Sequence, residues 1–180
     1  MIVIPILIVL LFSIILIFSS KKLSPIPYFP SQPMDLPKIV KALGLKNNQT
    51  VVDLGAGDGI VIFSAALGAF ERKLNTKFVA VEINPILIFI LHLRRLFHAN
   101  RKNIKVIHGD IFKMDFYFAK MKNVLFYIYI SPWYIEKTLK NIERQVGIFS
   151  MVSYMYPVPE LKNREKKISG KNSIFIYHKS

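Results

Sequence analysis

Residues 50–59 read TVVDLGAGDG, and this stretch decides the fold of the chain. Its first half, Thr50–Leu54, is β-branched and apolar, which predicts a buried strand. Three glycines at alternate positions follow, and they allow a tight turn and a close approach of a ligand to the backbone. The apolar residues from Gly59 to Gly68 then predict a helix, whose first N–H groups suit a carboxylate or a phosphate.

Strands and helices alternate over the rest of the chain. Further strands are predicted at residues 77–81, 104–108, 123–130 and 148–154. Further helices are predicted at residues 36–45, 85–100 and 133–145. A closing antiparallel hairpin is predicted from residues 166–169 and 173–178, which flank Gly170-Lys171-Asn172. This rhythm predicts an α/β fold with a mostly parallel sheet.

The N-terminal segment, residues 1–18, contains no charged side chain. A helix of about 18–20 apolar residues is roughly 27–30 Å long, close to the thickness of the hydrocarbon core of a bilayer. No Lys or Arg precedes the segment, unlike in a cleaved signal peptide, and Lys21 and Lys22 follow it. We therefore expect residues 1–20 to be a transmembrane helix that anchors the chain, with the remainder in the cytoplasm.

The remaining chain divides into a connector and one domain. Five prolines lie between residues 24 and 37, so residues 21–37 are predicted to be an extended connector. Residues 38–180 are a suitable length for one domain with one core. The chain has no cysteine, which excludes disulfides, thiolate metal sites and cysteine nucleophiles. Its four histidines lack the spacing of metal ligands, so no metal site is predicted.

The chain is strongly basic, with 25 Lys and Arg against 11 Asp and Glu. Such a charge favours anionic partners, either nucleic acid or anionic lipid. Residues 83–109 contain no acid, and they include a run of cations at Arg94, Arg95, Arg101, Lys102 and Lys105. This run is compatible with a phosphate-binding stripe or with a lipid surface. The apolar N-terminal segment favours membrane lipid as the partner, with nucleic acid as the alternative.

Acidic residues around the glycine turn indicate the ligand. Asp53 and Asp58 lie in the turn, and Glu82 ends the second strand, where a carboxylate can accept from two ribose hydroxyls. The acids would repel a pyrophosphate, and the spacing G-x-G-x-G differs from the dinucleotide pattern. S-adenosylmethionine carries an ammonium and a sulfonium instead, so it is the predicted ligand. The alternatives are dinucleotide binding and a strand–turn–helix with solvated acids.

Three later loops are predicted to complete the site. Asp110 follows the third strand, where it can accept from the amine of an adenine or cap the following turn. The fourth strand leads to Tyr129, Pro132 and Trp133, and the fifth leads to a second aromatic loop. Open α/β sheets bind ligands at such strand ends, so we expect both loops near the transferable methyl group. Aromatic residues also build cores, and that alternative stays open.

The chain resembles the small membrane-anchored class I methyltransferases related to the protein-lysine methyltransferases of the mitochondrial ATP synthase and the adenine nucleotide translocase. The segments that carry the resemblance are residues 27–31 (PYFPS), 52–59 (VDLGAGDG), 82–85 (EINP), 109–113 (GDIFK) and 152–159 (VSYMYPVP). The resemblance implies a Rossmann-like class I methyltransferase sheet. It also implies that Tyr28 to Ser31 close over a cofactor bound by Asp53, Gly55, Gly57 and Glu82.

The predicted site follows from these motifs and the resemblance. The predicted cofactor-binding residues are Tyr28, Pro30, Ser31, Asp53, Gly55, Ala56, Gly57, Asp58, Gly59, Glu82, Ile83, Asn84, Asp110 and Ile111. The residues predicted to line the methyl group are Tyr129, Pro132, Trp133, Tyr154 and Tyr156. The expected reaction is methyl transfer from S-adenosylmethionine to a lysine of a membrane-associated protein. The alternatives are a lipid, quinone or RNA acceptor, and a non-catalytic scaffold.

Overall fold

The computed structural model describes residues 3–20, 28–115 and 123–179 of the chain. Its strands are β1 (Thr50–Leu54), β2 (Lys77–Glu82), β3 (Ile104–His108), β4 (Val124–Ile128), β5 (Phe149–Tyr154), β6 (Glu165–Ser169) and β7 (Ser173–Lys179). Its α-helices are α1 (Val3–Ser19), α2 (Leu36–Ala42), α3 (Ile60–Glu71), α4 (Pro85–Phe97) and α5 (Ile135–Glu143). The predicted strands and helices of the α/β region are confirmed to within a few residues at each end.

The strands form one sheet in the order β3-β2-β1-β4-β5-β7-β6. Strands β1 to β5 pair in parallel, whereas β7 lies antiparallel between β5 and β6. The mostly parallel sheet with a C-terminal antiparallel hairpin is therefore confirmed. The chain runs outward from β1 to β3 and then returns to place β4 on the other side of β1. Their carboxyl ends border a topological switch point, where open α/β sheets bind ligands.

Helices cover both faces of the sheet because its central strands are buried on both sides. Helices α2, α3 and α4 pack on one face, around Ile39, Ala65, Phe78 and Leu91. Helix α5 packs on the other face, where Leu139 and Ile142 contact a cluster that includes Phe126. Side chains along a strand alternate between the two faces of the sheet. Leu54, Ile128 and Ile130 lie on the α5 side, so residues 53, 127 and 129 lie on the side of α3.

Helix α4 begins at a cap that the sequence specifies. The Asn84 side chain accepts hydrogen bonds from the N–H groups of Ile86 and Leu87, at 2.9 and 3.4 Å. Pro85 follows in the first turn, where its missing N–H costs nothing. These two residues fix where the chain leaves β2, and so they position the residues at the end of that strand.

The N-terminal segment differs in part from the prediction. Helix α1 is apolar, and nearly all of its side chains are exposed. Among the described residues, no helix combines the length and the apolar character needed to cross a bilayer. Residues 21–27 of the predicted connector lie outside the described residues. Residues 33–37 of the connector are not extended, because Pro33 opens a 3₁₀ turn and Pro37 lies in the first turn of α2, two positions that tolerate proline.

Candidate functional site

An open-sided cavity of about 780 Å³ lies at the carboxyl ends of the parallel strands. This volume includes the open solvent at the mouth of the cavity. The predicted site residues that line it are Tyr28, Pro30, Ser31, Asp53, Gly55, Ala56, Gly57, Asp58, Glu82, Ile83, Asp110, Ile111 and Tyr129. The cavity therefore brings together residues that are distant in the sequence, from the connector to the end of β4.

Glu82 joins the end of β2 to the glycine loop. Its Oε2 accepts a hydrogen bond from the Gly57 N–H at 2.8 Å. Its Oε1 accepts from the N–H groups of Ile83 and Asn84, at 2.8 and 2.9 Å. Because a carboxylate offers about four lone-pair sites, Glu82 keeps capacity for about one further donor. Acceptance from two ribose hydroxyls therefore requires one of these three backbone bonds to be exchanged for a hydroxyl.

Tyr28 covers the glycine loop. Gly57 has a φ of +58°, and a Cβ built on it would lie 2.5 Å from Cε2 and 2.9 Å from Cδ2 of Tyr28. The ring therefore rests directly on the backbone, and a side chain at residue 57 would push it away. The Tyr28 hydroxyl is hydrogen-bonded to Asp58, and burial followed by that carboxylate raises the pKa of Tyr28 to about 12.

Asp58 is largely engaged by the protein itself. Its Oδ1 accepts from the Ile60 N–H at 3.2 Å, at the start of α3. Its Oδ2 lies 2.8 Å from the Arg94 guanidinium, which also donates to the Asp58 backbone carbonyl. Arg94 thus links α4 to the glycine loop and neutralises one acid of the cavity wall.

Asp53 and Tyr127 are register partners on β1 and β4, and both line the cavity. Burial, followed by Glu82 and Asp58, raises the pKa of Asp53 well above its usual range. Burial, followed by Asp53, likewise raises the pKa of Tyr127. The Tyr127 hydroxyl lies 3.0 Å from Ser31 Oγ, and this hydrogen bond holds the segment from Tyr28 to Ser31 against the sheet. A cationic ligand group beside Asp53 would favour its ionised form.

Asp110 caps the turn after β3 and also lines the cavity. Its Oδ1 accepts from the Phe112 N–H at 2.9 Å. Its Oδ2 is 3.8 Å from the ammonium of the exposed Lys113. The capping alternative is therefore present, and the second oxygen remains available to a ligand amine.

Tyr129 lies at the end of β4 and is the aromatic residue of the predicted acceptor set that lines the cavity. Its ring packs edge-on against Tyr154, with 4.9 Å between centroids and 76° between planes. Burial, followed by Tyr156, raises the pKa of Tyr129. Its hydroxyl therefore stays neutral at physiological pH and can both donate and accept.

Some predicted site residues do not line the cavity; they are Gly59, Asn84, Pro132, Trp133, Tyr154 and Tyr156. The 3₁₀ turn at Pro132–Tyr134 packs Tyr134 against Phe112 and leaves Trp133 87% exposed. Tyr154 is fully buried, and its hydroxyl donates to Asp35 Oδ2 at 2.8 Å.

The others of this group also have structural roles. The Asn84 side chain caps α4. Gly59 has a φ of +82°, and a Cβ there would lie 2.6 Å from both Leu91 and Phe63, so this glycine permits close packing. Tyr156 packs against the core on the α5 side, and Pro132 is exposed. The sequence motifs indicate these residues as candidates but do not show which of them face the cavity.

The structure adds lining residues that the sequence patterns did not indicate: Phe29, Ile60, Val61, Leu87, Gly109, Phe112, Tyr127 and Ile130. Tyr127 could have been predicted from Tyr129, a predicted site residue, because side chains two residues apart on a strand lie on the same face of the sheet. Phe112 and Leu87 carry no comparable signal, since apolar residues after a strand or in a helix are usual.

The cavity fits S-adenosylmethionine. Four carboxyl groups line it, at Asp53, Asp58, Glu82 and Asp110, and they suit a ligand with an ammonium and a sulfonium. The glycine loop presents backbone instead of side chains where a Cβ would collide with Tyr28. The side chains of Ile83, Leu87 and Ile111 supply apolar surface for an adenine. Among the described residues, no group of acids and histidines is placed to hold a metal ion.

Comparisons with known proteins agree with this site. A family model described as ribosomal RNA adenine dimethylase matches residues 29–156. A probable ribosomal RNA small subunit methyltransferase A of Methanosarcina mazei is 40% identical over 81 residues, covering 45% of this chain and 27% of that protein. The human ATP synthase C-subunit lysine N-methyltransferase is 23% identical over 156 residues, covering 86% of this chain and 62% of that protein.

The chain thus spans less than two thirds of the length of these curated relatives. Among solved structures, an RNA methyltransferase of Salinibacter ruber in complex with S-adenosyl-L-homocysteine aligns with a TM-score of 0.68 at 17% identity, covering 83% of this chain and 93% of that one. The class I methyltransferase fold and the prediction of S-adenosylmethionine as cofactor are confirmed. The match over residues 29–156 shows that the chain belongs to the ribosomal RNA adenine dimethylase family.

Proposed function

We propose that this chain transfers a methyl group from S-adenosylmethionine to the side-chain amine of a lysine in a membrane-associated protein. The observation that carries the proposal is the composition of the cavity beside the end of β4. The side chains there are Phe112, Tyr127, Tyr129 and Ile130. They offer aromatic surface and hydroxyl groups, which suit the hydrocarbon stem and the amine of a lysine.

The same lining lacks one element of adenine recognition. Proteins recognise the edge of an adenine best with the paired donor and acceptor of an Asn or Gln amide. Among the described lining residues, no side chain is an amide. The human lysine N-methyltransferase also aligns with 86% of this chain, whereas the Methanosarcina mazei protein aligns with 45%. Both facts support lysine over adenine.

The residues that would hold the cofactor follow from the site. Glu82 has capacity for a ribose hydroxyl, the free oxygen of Asp110 for the adenine amine, and Asp53 for the ammonium. When bound, S-adenosylmethionine supplies an electrophilic methyl group on a sulfonium. An ammonium beside Asp53 favours the ionised carboxylate, so we expect cofactor binding to lower the pKa of Asp53.

The protein must present the lysine as a neutral amine. A shift of its pKa from about 10.4 to 7 corresponds to roughly 4–5 kcal/mol. Removal of water by Phe112, Tyr127 and Tyr129 would lower that pKa, because burial disfavours the ammonium. The neutral Tyr129 hydroxyl can accept from an amine N–H and so direct the nitrogen lone pair. No covalent intermediate with the protein is required.

We also propose that residues 1–20 hold the chain at a membrane, with the methyltransferase domain in the cytoplasm. Helix α1 contains 17 residues, about 26 Å of apolar helix whose side chains are exposed. Lys21 and Lys22 follow it, which supports a cytoplasmic side for the domain. The acceptor would then be a lysine near the membrane surface.

The test is transfer of an isotope-labelled methyl group to membranes isolated from the source cell. The parent, Glu82→Gln and Tyr129→Phe are compared, with Trp133→Phe as the control because its side chain lies outside the cavity. We expect label in protein and methyl-lysine after hydrolysis, little label with Glu82→Gln, and an intermediate rate with Tyr129→Phe.

An RNA acceptor is the second candidate, supported by the family match and by the net charge of +14. Label that survives protease but not ribonuclease would refute the lysine proposal and support this one. Absence of transfer by a folded chain that binds S-adenosylmethionine would point instead to a non-catalytic scaffold.

A further inference from the structure

Helix α4 exposes an apolar ridge. The ridge consists of Ile86, Phe89, Ile90, Leu93, Leu96 and Phe97. Phe89 is 68% exposed and Phe97 is 80% exposed, while Leu93 and Leu96 are about half exposed. A surface helix of a soluble domain normally shows polar residues on this side. The ridge therefore has the composition of a buried surface in an exposed position.

The helical geometry shows that the ridge is one continuous face. At 100° per residue, the inner side of α4 is centred on Leu87 and Leu91, which are buried against the sheet. Phe89, Leu93 and Leu96 lie on the opposite side, and Phe97 flanks them. The helix is thus apolar on both sides, and only the inner side has a partner among the described residues.

Cations border this ridge, and no acid does so within the same stretch of chain. Residues 83–109 contain no Asp or Glu. Arg101 and Lys102 follow α4 directly, and both are exposed, whereas Lys105 pairs with Val79 and lies on the α5 face of the sheet. Arg94 is engaged with Asp58 and Arg95 donates to the Ile104 carbonyl, whereas Arg101 donates to the Leu96 carbonyl at 3.3 Å, which places Arg101 and Lys102 at the C-terminal end of the ridge.

We propose that this face of α4 lies on an anionic lipid surface, with the apolar ridge in the boundary between headgroups and acyl chains and the cations against the headgroups. An apolar helix face beside a group of cations is the pattern of an interfacial membrane helix. The other possible occupants fit less well. Helix α1 is uncharged, and a second copy carries the same charge of +14. RNA would stack its bases on aromatic rings, whereas four of the six ridge residues are aliphatic.

Docking through α4 would also orient the site. Ile83 and Leu87, at the start of the α4 segment, line the cavity, and Arg94 contacts the glycine loop. A bilayer against the ridge would therefore hold the cavity close to the membrane surface. The ridge and its neighbouring cations would dock in this way whatever the role of helix α1 and whatever the acceptor.

The absence of cysteine allows a direct test with the full chain reconstituted in vesicles. A fluorophore is attached at Leu93→Cys on the ridge or, as the control, at Glu136→Cys on α5 across the sheet. Quenching by lipids that carry a nitroxide on the acyl chain is measured in phosphatidylcholine, with and without phosphatidylserine. We expect quenching at residue 93 that increases with phosphatidylserine, and none at residue 136.

Arg101→Gln together with Lys102→Gln tests the charges. Each removed cation is expected to weaken docking about fivefold, so quenching at residue 93 should fall while affinity for S-adenosylmethionine is unchanged. Equal quenching at residues 93 and 136 would overturn the proposal. So would a label at residue 93 that is already shielded from water without vesicles, because α1 or a second copy would then cover the ridge. Retention of RNA that the double variant loses, without lipid quenching, would overturn it too, and would assign the cations to nucleic acid.

Discussion

The contact between Tyr28 and Gly57 predicts a specific penalty for Gly57→Ala. The φ of +58° at Gly57 costs an alanine about 1–2 kcal/mol. Its Cβ would also lie 2.5 Å from Tyr28 Cε2, whereas non-bonded carbons prefer roughly 3.5–4.0 Å. The ring must therefore move by about 1 Å or more, and such overpacking typically costs about 1–3 kcal/mol. We expect a total loss of roughly 2–5 kcal/mol.

Gly55→Ala is the matched control. Gly55 has a φ of +83°, so an alanine there also adopts the left-handed region. Its Cβ would lie 3.4 Å from Ile130 Cγ2, close to an ordinary contact. We therefore expect Gly55→Ala to cost about 1–2 kcal/mol, which is the backbone contribution alone.

The assay is denaturant unfolding of the full chain in detergent, for both alanine variants in the parent and in Tyr28→Ala. In the Tyr28→Ala background Gly57→Ala should cost no more than Gly55→Ala, because the ring that it meets has been removed. Calorimetry should show weaker binding of S-adenosylmethionine for Gly57→Ala in the parent background. Equal costs for Gly57→Ala in the two backgrounds would refute the idea that Tyr28 rests on this glycine.

Three further changes probe other parts of the site. Asp53→Asn removes a buried carboxyl whose pKa is higher in the folded than in the unfolded chain. Because the unfolded chain loses this proton first, the stability of the parent falls as the pH rises above about 4. The variant should therefore melt higher than the parent at pH 7, equal it near pH 4, and bind the cofactor more weakly; a melting difference independent of pH would contradict this. Asn84→Ala removes the cap of α4 and should lower the free energy of unfolding in urea by about 1 kcal/mol. Asn84→Ser should lower it less, because serine keeps an acceptor and removes an amide nitrogen that has no partner among the described residues. Burial alone would raise the pKa of Asp35, but the Asn172 N–H, the Tyr154 hydroxyl and the Lys171 N–H lower it; Asp35→Asn should cost on the order of 3 kcal/mol at pH 7, and the difference from the parent should shrink in acid, where that carboxyl becomes protonated.

The sheet was predictable from the sequence because local signals and burial agree in it. Strand β4 is a run of apolar residues, as a strand buried on both faces requires. The glycines after β1 have positive φ values, which other residues adopt only at a cost, so their pattern predicts a tight turn. Proline at the start of a helix misled the prediction for the connector, because a proline-rich stretch can enter a helix through its first turn.

The site was predictable at the cofactor end and less so at the acceptor end. Asp53 and Glu82 sit at strand ends, where the sheet dictates the direction of the side chain. Trp133 lies in a short 3₁₀ turn, and its outward direction depends on Tyr134 packing against Phe112. Tyr154 was assigned to the acceptor, yet Asp35, 119 residues earlier, binds its hydroxyl. Such a partner is distant in sequence, so the pattern around Tyr154 contains no sign of it.

The relatives share the methyl donor and differ in the acceptor for which they are named. One family model covers residues 29–156, which include Glu82 and the glycine loop, and relatives named for ribosomal RNA and for a protein lysine both match this chain. A site shared by such different acceptors must be the part that holds the cofactor, because the methyl donor is what those reactions have in common. The acceptor must then be decided by other residues, and we propose that these are the hydroxyl and aromatic side chains beside β4 and the apolar ridge of α4. The first would select a neutral amine and the second would bring the cavity to a membrane, so the two features together favour a lysine at a lipid surface over a base in RNA.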